Sequence, residues 1–152
     1  MRPSENSTLN RPFLAVATRV WLTEVLISGF NYFVLMGLVY EPLFGHLAAH
    51  QIGMTTRIGY IFGLAYLLQR YNRDHTMRDL VHAGFLWLGL SLAFEWGGSL
   101  LILHRPVSDI LEGWQIWKGY MWPYVLFTYA FSNVIVGLIL RSGGRTAHAA
   151  AA

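Results

Sequence analysis

The sequence predicts an all-α fold: a four-helix transmembrane bundle with a short interfacial amphipathic helix between the third and fourth spans. Three observations carry this. Hydrophobic residues make up 55% of the 152-residue chain and charged residues only 12%, too few to cover a soluble domain. The apolar residues gather in four runs of about 20, the length that crosses a hydrocarbon core of roughly 30 Å at 1.5 Å of rise per residue. The basic residues segregate: eight of the eleven fall at 2, 11 and 19, at 70, 73 and 78, and at 141 and 145, against Arg57, Arg105 and Lys118.

The polar, Pro-containing residues 1–18 lack the apolar core and cleavage site of a signal peptide, so the first span is expected to stay as an uncleaved anchor. That span, 19–39, carries Glu24 and Asn31. The second, 51–68, carries Arg57, and Gly59 and Gly63 form a GxxxG pair suited to close helix approach. The connection 69–79 holds Arg70, Arg73 and Arg78, which read as anchors to acidic head groups. The third span, 80–103, contains Glu95 and a second small pair, Ala93 and Gly97.

In 106–118, Val107, Ile110, Leu111, Trp114 and Trp117 recur at helical spacing with polar residues opposite, Pro106 suits a first turn and Gly119 a stop. This predicts one amphipathic helix in the outer interface. Trp114, Trp117, Tyr120 and Trp122 then form a boundary belt touching lipid or a partner, or a lid over a lipid or quinone pocket. The fourth span, 121–140, carries Asn133, and 141–152 reads as a disordered tail. With the basic residues counted by side, the N- and C-termini and the middle connection are expected in the cytoplasm.

Ionisable groups inside spans are costly and are expected to be paired or functional. Counted from the predicted span ends, Arg57 and Glu95 lie at similar depth, roughly 9 to 13 Å from the outer end, and are expected to form an ion pair. Glu24 and Asn133, near His82, are expected to form a second cluster toward the inner side. Asn31 is the residue placed to connect the two. Such pairs serve either to fix register or to move a proton or ion.

Several chemistries are set aside. The chain has no Cys, which removes disulfides, thiolate metal sites and Cys nucleophiles. His46 and His50 with Glu41 make a weak metal pattern, and His50 with His104 a weak haem pair, so no metal and no cofactor is expected, with a lipid or quinone as the ligand class left open. No phosphate-binding loop, dinucleotide fingerprint or nucleophile elbow is present. Basic residues clustered on a soluble surface are lacking, which argues against nucleic acid.

The stretch Phe85-Leu86-Trp87-Leu88-Gly89-Leu90-Ser91-Leu92-Ala93-Phe94-Glu95, followed by Gly119-Tyr120-Met121-Trp122-Pro123, resembles small bacterial integral membrane proteins of uncharacterised function. In these an apolar helix with a Phe-Glu pair precedes an interfacial loop and a last span opening near Trp-Pro. The resemblance covers the second half of the chain, and His104-Arg105-Pro106 stands where the family has an Arg-Ser-Trp-like start. It implies a four-helix membrane fold, in the bacterial inner membrane, and no particular activity. The expected function is an accessory or structural subunit without a catalytic centre, packing against lipids and other membrane chains or its own copies. The alternatives are a small transporter or proton conductor using Glu24, Asn31, Arg57 and Glu95, and a lipid- or quinone-binding protein.

Overall fold

Asn10 opens the first helix: its side chain accepts the Phe13 N–H at 3.1 Å, and Pro12 sits in the first turn, where its missing N–H costs nothing. The computed structural model describes residues 10–149, with side chains as far as Ser142. Its regular elements are helices, α1 (Arg11–Phe44), α2 (His46–Tyr71), α3 (Met77–Ile102), α4 (Val107–Glu112) and α5 (Trp122–Ala149), with a 3-10 turn at Ile116–Lys118. Helices α1, α3 and the Trp122–Ser142 part of α5 are long and apolar enough to cross a membrane. Helix α2 has the length, 26 residues, but Arg57 and its Gln and Thr residues lower its apolarity below theirs.

A capping box starts α3. The Thr76 hydroxyl accepts the Asp79 N–H at 3.2 Å and the Asp79 carboxylate takes the Thr76 N–H at 2.8 Å. Asp79 also accepts the Asn10 N–H at 3.2 Å, and the Asn10 amide donates to the Asp74 carbonyl at 2.7 Å. These bonds place the start of α1 and the α2–α3 connection at one end of the bundle. At the other end α1 passes into α2 through Gly45 alone, whose φ of 80° favours a residue without a Cβ.

Helix α1 packs on α2 and α3, and α5 packs on the same two. The four long helices therefore form a ring in which α2 and α3 stand on opposite corners. Trp21, Ile61, Leu68, Leu80, Trp87, Val125 and Tyr129 fill its centre. Two indoles hold α1 to α3: Trp21 Nε1 donates to Ser91 Oγ at 2.9 Å and Trp87 Nε1 to the Ala17 carbonyl at 2.8 Å. Helix α3 meets α5 much more closely, because Gly84 lies against the backbone of Ala130 with no room for a Cβ.

The small residues picked out in the sequence are not the ones that permit close approach. Gly59, Gly63 and Gly97 have no neighbouring atoms where a Cβ would stand, and Gly59, Gly63 and Ala93 are exposed. The spacing of a small-xxx-small pair specifies a face without specifying which face points inward. Gly53 against Met36, Gly84 against Ala130 and Gly137 against Leu80 carry the contacts instead.

Two further expectations change. The region 106–118 is not one helix: α4 ends at Glu112, the chain turns through Gly113, and a 3-10 turn follows, closed by Gly119 at φ 91°. The break resets the helical period, so Ile110 is buried while Trp117 is 77% exposed. The helical backbone of α5 continues past Leu140 to Ala149, which covers most of the expected tail, and 150–152 lie outside the described residues.

Candidate functional site

The predicted pairing of the buried charges is replaced by another. Arg57 Nε donates to Glu24 Oε1 at 3.0 Å, and Arg57 Nη2 donates to Tyr129 Oη at 2.8 Å. The Ser28 hydroxyl donates to the same Glu24 oxygen and lies 2.7 Å from Tyr60 Oη. The guanidinium lies 5.1 Å from the Trp122 ring centre and 5.7 Å from that of Tyr129. Arg57 on α2 thus meets residues from both neighbouring helices, Glu24 on α1 and Tyr129 on α5. Glu95, on α3 at the opposite corner of the ring, cannot take Glu24's place.

Two physical reasons account for the difference. Helix α1 starts at Arg11 and runs 34 residues, roughly 50 Å at 1.5 Å per residue, so Glu24 is near the bundle's middle, not near its inner end. Depth alone, moreover, contains no angular information, and two groups at one level on diagonal helices do not touch. The expected inner cluster changes for the same reason. Asn133 is fully buried on α5, and its backbone carbonyl accepts Gln69 Nε2 at 2.9 Å, while His82 is bound to the Arg78 carbonyl at 2.6 Å. Neither joins Glu24. Asn31, expected to link two clusters, donates to the Gly53 carbonyl at 3.0 Å.

Glu95 has no hydrogen-bond or ion-pair partner among the described residues. It faces a cavity of about 320 Å³ bounded by α1, α2, α3 and the 103–121 connection. The cause of this cavity lies in residue size. Trp21 and Trp87 hold α1 and α3 apart, and beyond Trp21 the facing positions are small: Ser28 and Gly29 on α1, Ser91, Gly98 and Ser99 on α3. Spacing set by indoles, with Ser and Gly at these positions between the larger aromatic and aliphatic lining residues, leaves a void.

Both walls also change helix type beside the cavity. Asn31–Tyr40 and Gly98–Ile102 are π-helical, closed by the Glu41 N–H on the Met36 carbonyl and the Leu103 N–H on the Gly98 carbonyl. The wider turn rotates Tyr32, Phe33 and Met36 on one side, and Ser99 and Ile102 on the other, onto the lining. Such segments recur at functional sites.

The aromatics of the 103–121 connection and the start of α5 divide between roles. Trp122, expected at the boundary, is buried and supplies the ring over Arg57. Tyr120 is buried, donates to Glu112 at 2.8 Å and packs edge-on against His50 at 5.1 Å. The Glu112 carboxylate, and secondarily burial, pushes the Tyr120 phenol above its ordinary pKa. Trp114 is half-buried, and only Trp117 points fully outward. The connection is fastened to α2 by the Met121 N–H on His50 Nε2 at 3.2 Å and by Gln51 Nε2 on the Gly119 carbonyl at 3.1 Å.

His46 contacts Glu41 at 3.1 Å, and no three acidic or His side chains converge as a metal-ligand set among the described residues. Reading the residues singly missed Tyr129, Tyr60, Ser28, Trp21 and Ser91. A usable signal existed for the cavity wall: Ser91, Glu95, Gly98 and Ser99 share one helical face that is small or polar rather than apolar. Compared with protein families, with characterised proteins and with solved structures, the chain matches none.

Proposed function

We propose that this chain is a four-span integral membrane protein that binds a small amphipathic molecule in the cavity beneath the 103–121 connection, without a catalytic centre of its own. The observation that carries this reading is the Glu95 carboxylate, left without a protein partner in a cavity of about 320 Å³, the size of a small ligand site. A group needed only to fix helix register would be paired, as Glu24 is.

The four-span reading is supported by Arg57. Its charge is compensated by Glu24, which removes the main objection to placing α2 in the bilayer beside its neighbours. The start of α1 and the α2–α3 connection, both Arg-rich, lie at one end, and the positive-inside rule puts that end in the cytoplasm. The cavity then opens near the opposite interface, with α4 and the following turn lying along it.

An accessory-subunit role has its own support. Tyr124, Phe127, Phe131, Ile135 and Leu138 form an exposed stripe down α5, opposite the cavity side, where a partner helix or acyl chains would pack. A transport role has less, since Asn31 is engaged with Gly53 and does not line the cavity.

The test is to purify the chain in native lipid discs and to identify retained small molecules by native mass spectrometry, with Gly29→Phe as the filled variant. Gly29 lines the cavity and has open space at its Cβ, so a larger side chain there reduces the cavity's volume. A bound mass present in the parent and absent from Gly29→Phe is the expected result. Identical small-molecule content in both, with partner chains co-purifying equally, would favour the subunit role instead.

A further inference from the structure

Within the cavity and its mouth the charges do not balance. Arg57 is neutralised by Glu24 at 3.0 Å, and Arg105, whose guanidinium donates to Tyr32 at 3.3 Å, lines the cavity together with Asp109 and Glu112. Counting these groups and Glu95, carboxylates outnumber cations by two, with His neutral. The excess is deepest at Glu95. The wall around it is aromatic: Trp21 and Phe94 meet edge-to-face at 6.2 Å, and Tyr32 and Phe33 at 5.1 Å, all four lining the same space.

The same cavity already shows how it accommodates a cation. Arg57 is held by one carboxylate, one phenol oxygen and the faces of two aromatic rings. Glu95 lines the same cavity as Trp21, Phe94 and Tyr32, so a carboxylate and aromatic rings again share one space, and among the described residues no protein cation lies within ion-pair distance of this carboxylate. Anions are disfavoured by the carboxylate excess. A neutral hydrogen-bonding molecule would leave that charge uncompensated in an apolar space.

We infer that the ligand is a lipophilic organic cation, an ammonium bearing apolar substituents, with Glu95 as its counter-ion and the aromatic wall around its substituents. This rests on the reading of the cavity as a ligand site. The small, strongly hydrated inorganic cations of the bulk phase are disfavoured by the apolar part of the lining, which selects for a cation that brings little bound water.

The experiment uses the whole chain in zwitterionic lipid discs, with empty discs as blank, and three probes of one shape. These are (4-phenylbutyl)trimethylammonium, its neutral tert-butyl isostere and 4-phenylbutylsulfonate, each titrated calorimetrically. The cation is expected to bind at least about tenfold more tightly than the neutral isostere, the gain of one desolvated charge pair with ring contacts. Glu95→Gln should erase that difference, and Glu95→Asp should keep most of it. Because Glu95 has no protein partner, Glu95→Gln is expected to melt with the parent, which shows that lost binding is not lost folding.

Equal binding of cation and isostere, tighter binding of the sulfonate, or a preference unchanged in Glu95→Gln would overturn the cation assignment while leaving the cavity as a binding site. Gly29→Phe separates the two ideas. If all three probes bind the parent and Gly29→Phe alike, the cavity reading itself fails, and the assignment with it.

Discussion

Helix α3 has two seams, and they are built on opposite principles. Against α5 it presents Gly84 to the Ala130 backbone and Leu80 to Gly137, so the helices close until nothing larger fits. Against α1 it presents Trp87 and receives Trp21, two indoles that keep the helices apart and hydrogen-bond across the gap. The close seam has no room for even a methyl group at Gly84 or Gly137. The wide one is filled only where the indoles reach, and the space beyond them is the cavity that holds Glu95. The lesson is that a void in a bundle is made by its spacers as much as by the small residues that line it.

The same contrast separates the two buried acids, and breaking it at Glu24 should produce the largest effect. Glu24→Ala leaves the Arg57 guanidinium without its counter-charge inside the bundle, and a loss of about 3–5 kcal/mol is expected, read as unfolding in mild detergent. Glu95→Gln, by comparison, should change stability by less than about 1 kcal/mol, since no partner is stranded. Comparable losses for the two variants would show that Glu95 is paired after all.

Second in size is the close seam. Gly84→Val brings a side chain onto the Ala130 carbonyl, and a destabilisation of about 1–3 kcal/mol or more is expected from overpacking. Gly29→Ala, on the open seam, should instead be neutral or stabilise by up to about 1 kcal/mol, the helix-propensity gain with no clash. Thermal midpoints of the two variants, measured side by side, test the claim that the seams differ. Similar losses would mean that the cavity closes in the native protein.

The smallest effect concerns the 103–121 connection. Tyr120→Phe removes the bond to Glu112 and should cost under about 1 kcal/mol, detected as faster proteolysis within 103–121 rather than as a shift in global unfolding. Because the folded-state pKa of the Tyr120 phenol is raised, its contribution is fully present below the ordinary tyrosine range and lost as pH rises through the folded value. Alkaline titration should therefore loosen the connection in the parent and leave Tyr120→Phe unaffected.

How much of this was legible depended on what each feature needs. The helical class and the apolar segments of α1, α3 and α5 follow from run length, a local property of the chain. Gly119 as a stop is local too. That Glu24, Arg57 and Glu95 would matter was visible from the cost of burying charge, and all three do sit in the interior region. Their pairing was not visible, since position along a helix fixes depth and leaves open which helices are neighbours.

By itself, then, the sequence determined an all-helical chain with segments suited to a bilayer, ionisable groups within them and basic residues grouped by segment, because length, hydropathy and charge are additive along the chain. Only the tertiary structure decided that α2 and α3 stand on opposite corners, that Arg57 goes to Glu24 and Tyr129, and that Gly84 rather than Gly59 meets another helix. It also decided that Glu95 is left facing a cavity. Those outcomes depend on rotation about each helix axis and on the sizes of residues far apart in sequence, Trp21 with Ser91 and Gly84 with Ala130, which meet only when the whole ring has closed.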